Sequence, residues 1–144
     1  MSEQLHIVCP ACAAVNRLSR EKLSAKPLCG SCKGALFEGN ATTLTASTFK
    51  KVTQRNDIPV VVDCWAPWCG PCLTMAPAFE QAAQKLEPQF RFAKLNTESE
   101  QALGASLNIR SIPTLLLFKD GKEMARVTGA RSAVEIERWL VEQA

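Results

Sequence analysis

From residue 42 onward, apolar positions fall into two kinds of run. Residues 59–65 and 113–118 are short, nearly unbroken apolar stretches, rich in β-branched and aromatic side chains, and they predict buried strands. Residues 90–96 predict another strand, and 42–45 a short one. Between them the spacing becomes helical at 47–55 and at 69–87, where Pro77 lies inside the second stretch. Pro77 has no N–H to give the Leu73 carbonyl, so a kink is expected there. Thr97 and Glu100 have the spacing of a capping box opening a helix over 100–107, and Ser132 and Glu135 repeat it before a last helix. That last helix has a broad apolar face made by Val134, Ile136, Trp139, Leu140 and Val141. Asp120-Gly121 is a hairpin signal and predicts a returning strand at 123–127. Strands separated by helices and closing on a hairpin and a helix describe an α/β domain with a mixed sheet.

Residues 1–38 are patterned differently. Their apolar side chains are few: Leu5, Ile7, Val8, Val15, Leu18, Leu23, Leu28, Leu36 and Phe37. Burial of so small a set does not fold a segment this short. Cys9-Pro10-Ala11-Cys12 is followed, sixteen residues on, by Cys29-Gly30-Ser31-Cys32, a repeated CxxC at zinc-ribbon spacing. Cys9, Cys12, Cys29 and Cys32 would close a tetrahedral site around one structural Zn²⁺, with Gly30 and Gly34 easing the second turn. Metal would then supply the missing stability, about 10–16 kcal/mol in small zinc modules. Two disulfides or a second redox relay are the alternatives for these four thiols. His6 is expected to be a surface side chain rather than a ligand. The polar, glycine-containing stretch 38–42 divides the chain into a metal module at 1–38 and a second domain at 42–144.

The 144 residues fit one ordinary domain with a small appendage, and 47% apolar content is enough for a real core. The net charge is +3, with five basic against three acidic residues in 1–38 and twelve against eleven thereafter. No basic stripe follows, so nucleic acid is not the expected partner. There is neither a leader-like amino-terminal pattern nor an apolar run long enough to span a bilayer, which predicts a cytoplasmic protein with no membrane partner. In a reducing compartment, seven cysteines point to metal binding or catalysis rather than a disulfide framework.

Cys69-Gly70-Pro71-Cys72 stands where the strand at 59–65 gives way to the long helix. A thiol at a helix start meets backbone N–H groups that favour its thiolate, which suits Cys69 to attack a disulfide. Cys72, one turn inside the helix, is suited to resolve the mixed disulfide. Gly70 lets a substrate backbone approach, and Pro71 fits the first helical turn. Asp63 sits in an otherwise apolar strand, so desolvation should raise its pKa toward that of a proton acceptor for Cys72. Lys94 shares the period-two face of Phe90 and Phe92 and points coreward, with Asp63 as its candidate partner. Cys64 is expected to act as a small hydrophobe.

The segment Asp63-Cys64-Trp65-Ala66-Pro67-Trp68-Cys69-Gly70-Pro71-Cys72 resembles the active-site segment of thioredoxins, and with the doubled CxxC the chain resembles their zinc-containing, two-domain bacterial type. The resemblance covers residues 42–144 and implies a thioredoxin fold, a mixed sheet flanked by helices, with a four-cysteine zinc-ribbon-like module before it. It implies a protein-disulfide reductase acting as a monomer on protein disulfides, re-reduced by an NADPH-dependent flavoprotein thioredoxin reductase, with no organic cofactor. Lys94 and Asp63 would be close neighbours that modulate Cys72. Ser111-Ile112-Pro113-Thr114 resembles the thioredoxin segment whose proline follows a cis bond and faces the cysteines, and Ile112 would pair with an extended substrate. Trp68, Pro67, Ile112, Gly129 and Ala130 would form a platform around Cys69, with Trp65 as core support. The Gly-Pro dipeptide favours a reductase over an isomerase or oxidase, and a redox-sensing adaptor or holdase is the alternative from another class. Many thioredoxins carry an aromatic residue where this chain has Cys64, a departure that bears on local packing.

Overall fold

The computed structural model describes residues 3–143. Its centre is a five-stranded sheet of β3 (Thr42–Thr43), β4 (Val60–Trp65), β5 (Arg91–Asn96), β6 (Thr114–Lys119) and β7 (Lys122–Thr128), in the order β3-β5-β4-β6-β7. The β3, β5 and β4 strands run parallel, and β6 alone is reversed, antiparallel to both β4 and β7, so the sheet is mixed as the alternation of elements predicts. Strands β4 and β6 begin immediately after Pro59 and Pro113, which have no N–H for a ladder.

Alternation along β4 decides which chemistry faces which layer. Val60, Val62 and Cys64 pack with Leu44, Val52, Ala93, Leu95 and Phe118. This is the side of α1 (Ala46–Arg55) and α3 (Gln101–Ser106), which contribute Phe49 and Leu103. Val61 packs on the opposite face with Phe92, Leu115 and Leu117, beneath α2 (Gly70–Leu86) and α4 (Ala133–Gln143), which contribute Met75, Phe79, Ile136 and Leu140. Asp63 shares the Val61 face and is therefore turned under α2.

Ser132 and Glu135 make the predicted box, the Ser132 N–H donating to Glu135 Oε1 and the Glu135 N–H to Ser132 Oγ. The box predicted at Thr97 and Glu100 does not form. The Thr97 hydroxyl instead donates to the Trp65 carbonyl, and Asn96 Oδ1 accepts the Glu98 and Ser99 N–H groups. The two donors of the box go to backbone carbonyls instead, the Thr97 N–H to Trp65 O at 2.8 Å and the Glu100 N–H to Asn96 O at 3.0 Å, and α3 starts after Glu100 with no side-chain cap bond.

The amino-terminal segment forms the antiparallel pair β1 (Gln4–Val8) and β2 (Val15–Ser19), followed by a 3₁₀ turn at Arg20–Ser24. The two CxxC turns have the same backbone bonds: Cys9 N–H to Ala14 O and Ala13 N–H to Cys9 O in the first, Cys29 N–H to Gly34 O and Lys33 N–H to Cys29 O in the second. The left-handed position in each belongs to Ala13 (φ 63) and Lys33 (φ 67), and a Cβ at Gly34 would stand 3.4 Å from Cys32 Sγ. Leu28, expected to be buried, is 62% exposed.

This segment is docked on the second domain. Ile58 packs with Leu5, Ile7, Leu23 and Leu36, and Val8 packs in the sheet core with Leu44 and Val52. The Val8 N–H donates to Asn56 Oδ1 at 2.9 Å, the Asp57 N–H to His6 O at 2.9 Å, and the His6 N–H to Asp57 Oδ2 at 2.7 Å. Much of the burial missing from 1–38 is thus supplied from outside it.

Candidate active site

Cys69 is the N-cap of α2, and Pro71 lies in its first turn, where a missing N–H leaves nothing unsatisfied. The Cys72 N–H donates to Cys69 Sγ at 3.2 Å, so the helix start directs a backbone dipole at the outer sulfur. The two cysteines are joined as a disulfide, their Cα atoms 5.2 Å apart. They pack with Ala66, the half-buried Trp65 and Ile112. Cys69 Sγ lies 3.8 Å from the Ile112 carbonyl oxygen, and the Ile112–Pro113 peptide is cis. The Gly129 N–H donates to Pro113 O at 2.9 Å, bringing the loop after β7 to the same side.

Trp68 is 70% exposed, Pro67 and Ala130 are also exposed, and Ile112 is half-buried. Trp68 and Ile112 border a groove of about 330 Å³ with Thr97, Gln101 and Arg110. A side chain at Gly70 or Gly129 would meet nothing within 4 Å. Both therefore leave the surface beside the sulfurs low, and at Gly129 the backbone (φ 96) itself demands glycine.

Behind the disulfide, Asp63, Lys94, Glu80 and Cys72 line one cavity of about 160 Å³. Burial pushes the Asp63 carboxyl up to about 7, with Lys94 pulling it down and Glu80 adding to the rise. Asp63 and Lys94 are register partners across β4 and β5. The ion pair expected between them is not formed within 4 Å, and Asp63 Oδ1 has no hydrogen-bond partner among the described residues. Register neighbours on parallel strands share a face without their side-chain tips meeting, so Lys94 acts on Asp63 through the cavity. Cys64 faces the other layer, fully buried, where burial and the Asp63 charge push its thiol up to about 12.

Cys9, Cys12, Cys29 and Cys32 converge, their four sulfurs all within 4.8 Å of one another. Cys9 Sγ is 3.7 Å from Cys32 Sγ and Cys12 Sγ 3.6 Å from Cys29 Sγ. A tetrahedral Zn²⁺ with Zn–S bonds near 2.3 Å has edges of about 3.8 Å, so the sulfurs are at coordination distance rather than bonded. Backbone N–H groups of Ala11, Ser31 and Gly34 donate to three of the sulfurs. The Cys32 backbone and the Asn16 amide bring the Cys29 thiol down to about 6. At Cys12 the favourable Ala14 backbone contact is outweighed by burial and the neighbouring sulfurs, pushing it up to about 11. Four converging cysteine sulfurs at these separations fit a divalent, thiophilic cation. His6 is outside the cluster, paired with Asp57 at 3.0 Å.

Several residues that carry this arrangement were not singled out by sequence. Asn16 accepts the Gly30 N–H at 2.8 Å and donates to Cys29 Sγ, tying the two CxxC turns together, and no pattern announces it. Arg91 is different. It is a charged residue inside an apolar strand, as Asp63 is, but on the face opposite to Phe90, Phe92 and Lys94, and its side chain is only 2% exposed. It donates to Leu36 O at 2.7 Å, pairs with Glu87 at 3.3 Å and lies 4.4 Å over the Phe37 ring, clamping the amino-terminal segment to the sheet.

Comparison with known proteins agrees with both parts of the chain. Residues 40–142 match the family described as Thioredoxin, and residues 8–34 match the one described as Thioredoxin 2, N-terminal. The chain is 44% identical over 137 residues to Thioredoxin C-3 of Corynebacterium nephridii, covering 95% of this chain and 94% of that one. It is 44% identical to Thioredoxin 1 of Nostoc sp. over 69% of this chain and 94% of the relative. The crystal structure of Malassezia sympodialis thioredoxin (Mala s 13) is similar with a TM-score of 0.68 and 29% identity, over 74% of this chain and 94% of the other.

Proposed function

The chain belongs to the thioredoxin family, and from that premise we propose that it is a protein-disulfide reductase working through Cys69 and Cys72, with a structural zinc site in a separate module. The observation that carries the reading is the pairing of a helix-capping cysteine disulfide with a buried carboxylate in the cavity behind its inner sulfur. In the reduced protein the Cys69 thiolate attacks one sulfur of a substrate disulfide, and the other substrate sulfur leaves as a thiolate. Cys72 gives its proton to the Asp63 carboxylate and attacks Cys69 Sγ. The second substrate sulfur leaves, and the Cys69–Cys72 disulfide remains.

Two electrons from a thioredoxin reductase then restore the dithiol. Trp68, Gly70, Pro71, Ile112, Pro113 and Gly129 form the docking surface for an extended substrate segment, and Lys94 modulates Asp63. Cys9, Cys12, Cys29 and Cys32 hold one zinc ion, which when bound fixes the module's two turns and takes no part in the exchange. Five cysteines outside the disulfide suit a reducing cytoplasm, and among the described residues no helix is long and apolar enough to cross a membrane. A module at 1–38, a redox domain at 42–144 and a monomeric state complete the reading.

The test is insulin-disulfide reduction by the purified protein, driven by NADPH and thioredoxin reductase, beside Cys69→Ser, with zinc assayed on the same samples. Turnover lost in the variant, with one zinc retained per chain, supports a reductase with an independent metal site. No turnover in the wild type, with zinc present, moves the reading to a redox-sensing adaptor.

A further inference from the structure

The cavity behind Cys72 contains a second carboxylate that the reaction above does not use. Cys72, Ala76 and Glu80 recur every four residues along α2 and share one helix face, and all three line the cavity that holds Asp63. Glu80 is half-buried, and its carboxylate is fixed from outside the helix: the Ala41 N–H, in the connection just before β3, donates to Glu80 Oε2 at 3.0 Å. This is an isolated backbone donor spent on one side-chain oxygen, and it holds the charge at the rim of the Asp63 cavity.

We propose that Glu80 is a positioning residue for disulfide exchange, a fixed negative charge tethered by the Ala41 N–H that strengthens Asp63 as the acceptor of the Cys72 proton. The charged and titratable groups facing Asp63 are Cys72 and Glu80 from α2 and Lys94 from β5. Its register neighbour on β6 is the apolar Leu115, and Cys64 on its own strand faces the other layer. Lys94 and Glu80 therefore act on Asp63 in opposition: the ammonium stabilises the carboxylate and the Glu80 charge stabilises the acid, as the direction of each influence on Asp63 shows. When Cys72 attacks, its S–H bond breaks and the proton passes to Asp63. Glu80 gains and loses nothing, but its charge makes Asp63 the stronger base. The tether explains why the group can do this steadily, since a free glutamate at a cavity rim would turn toward water.

This inference rests on the reductase reading for its consequence, but its test does not. On the full zinc-loaded protein in its dithiol form, the Asp63 carboxyl is titrated by carbon-detected NMR in the wild type, in Glu80→Gln and in Glu80→Lys. Glutamine keeps an acceptor for the Ala41 N–H and removes only the charge. The Asp63 midpoint is expected to fall by about half a pH unit in Glu80→Gln and about twice as far in Glu80→Lys, as expected for a partly screened charge at the cavity rim. The limb of the insulin-reduction pH profile set by Asp63 moves with it. An Asp63 midpoint unmoved in the variants, or moved equally by both, overturns the proposal, because a purely structural role does not follow charge. Absence of wild-type insulin reduction refutes the reductase reading while leaving the Asp63 midpoint readable.

Discussion

Replacing Arg91 with leucine removes the clamp between the amino-terminal segment and the sheet, and the structure sets the size of the loss. Both side chains of the Arg91–Glu87 pair are 2% exposed, so neither charge is shared with water. Without Arg91, Leu36 O loses its donor, and Glu87 keeps only backbone contacts such as the Phe92 N–H for a carboxylate whose Oε1 already has no partner. Breaking a buried pair on one side costs about 3–5 kcal/mol, because the surviving charge stays desolvated. For a chain of this size that corresponds to a fall in Tm of about 8–15 °C. Thermal and urea unfolding of the zinc-loaded protein at pH 7.5 reads both quantities.

The pH dependence of that deficit checks its cause. Burial pushes the Glu87 carboxyl up, while Arg91 pulls it down, so Arg91→Leu raises it further. A carboxyl raised in the folded state favours folding below its unfolded pKa and loses that contribution as pH rises through its folded pKa. The Arg91→Leu deficit should therefore shrink toward pH 4 and be largest above neutrality. Adding Glu87→Gln to the same chain removes the stranded charge and should recover part of the loss. A deficit below about 1 kcal/mol at pH 7.5, or one indifferent to both pH and Glu87→Gln, refutes the reasoning.

Two other outcomes follow from the site. Asp63 titrates near about 7 in the folded chain against about 4 unfolded, so its ionised form opposes folding. Asp63→Asn should stabilise the protein by about 4 kcal/mol above pH 8 and by little at pH 4 while slowing disulfide reduction, as urea unfolding and insulin turnover across pH would read; equal stabilisation at both pH values would contradict the burial argument. Chelating zinc should remove amide-exchange protection from β1 and β2 and also from the Asn56–Ile58 contacts, because these share one core. Exchange that changes in β1 and β2 alone would mean the segment is attached without being part of that core.

The redox site was legible because its signals are local. A CxxC before a helix, a charged residue in each of two apolar strands and a proline before a third describe the site by their spacing, and period-two alternation put Asp63 and Lys94 on one face. What could not be read there was whether facing residues touch. Asp63 and Lys94 are register partners without an ion pair, and the donors of the box predicted at Thr97 and Glu100 go to the Trp65 and Asn96 carbonyls. The docking of the first segment was invisible for a different reason. Asn56, Asp57 and Arg91 meet His6, Val8 and Leu36 across about fifty residues of chain, and no periodicity records a contact at that separation. Arg91 alone carried a signal, a charge in a buried strand.

Those docking contacts also fix which end of the sheet the amino-terminal segment meets. Asn56, Asp57 and Ile58 lie just before β4 begins, and Arg91 is the first residue of β5, whereas Cys69 follows the far end of β4. The six residues of β4 separate these two ends by roughly 20 Å. A thiol–disulfide exchange needs sulfurs in contact, and the contacts that dock the first segment lie at the end of β4 away from Cys69. Packed structure joins the docking end to the cavity: β4 and β5 carry Asp63 and Lys94 toward the dithiol, and the connection before β3 holds Glu80 at the cavity rim through the Ala41 N–H. Both elements end at the cavity of the same buried carboxylate, Asp63, so the docking end of the sheet and the proton acceptor of the dithiol are joined by continuous packed structure.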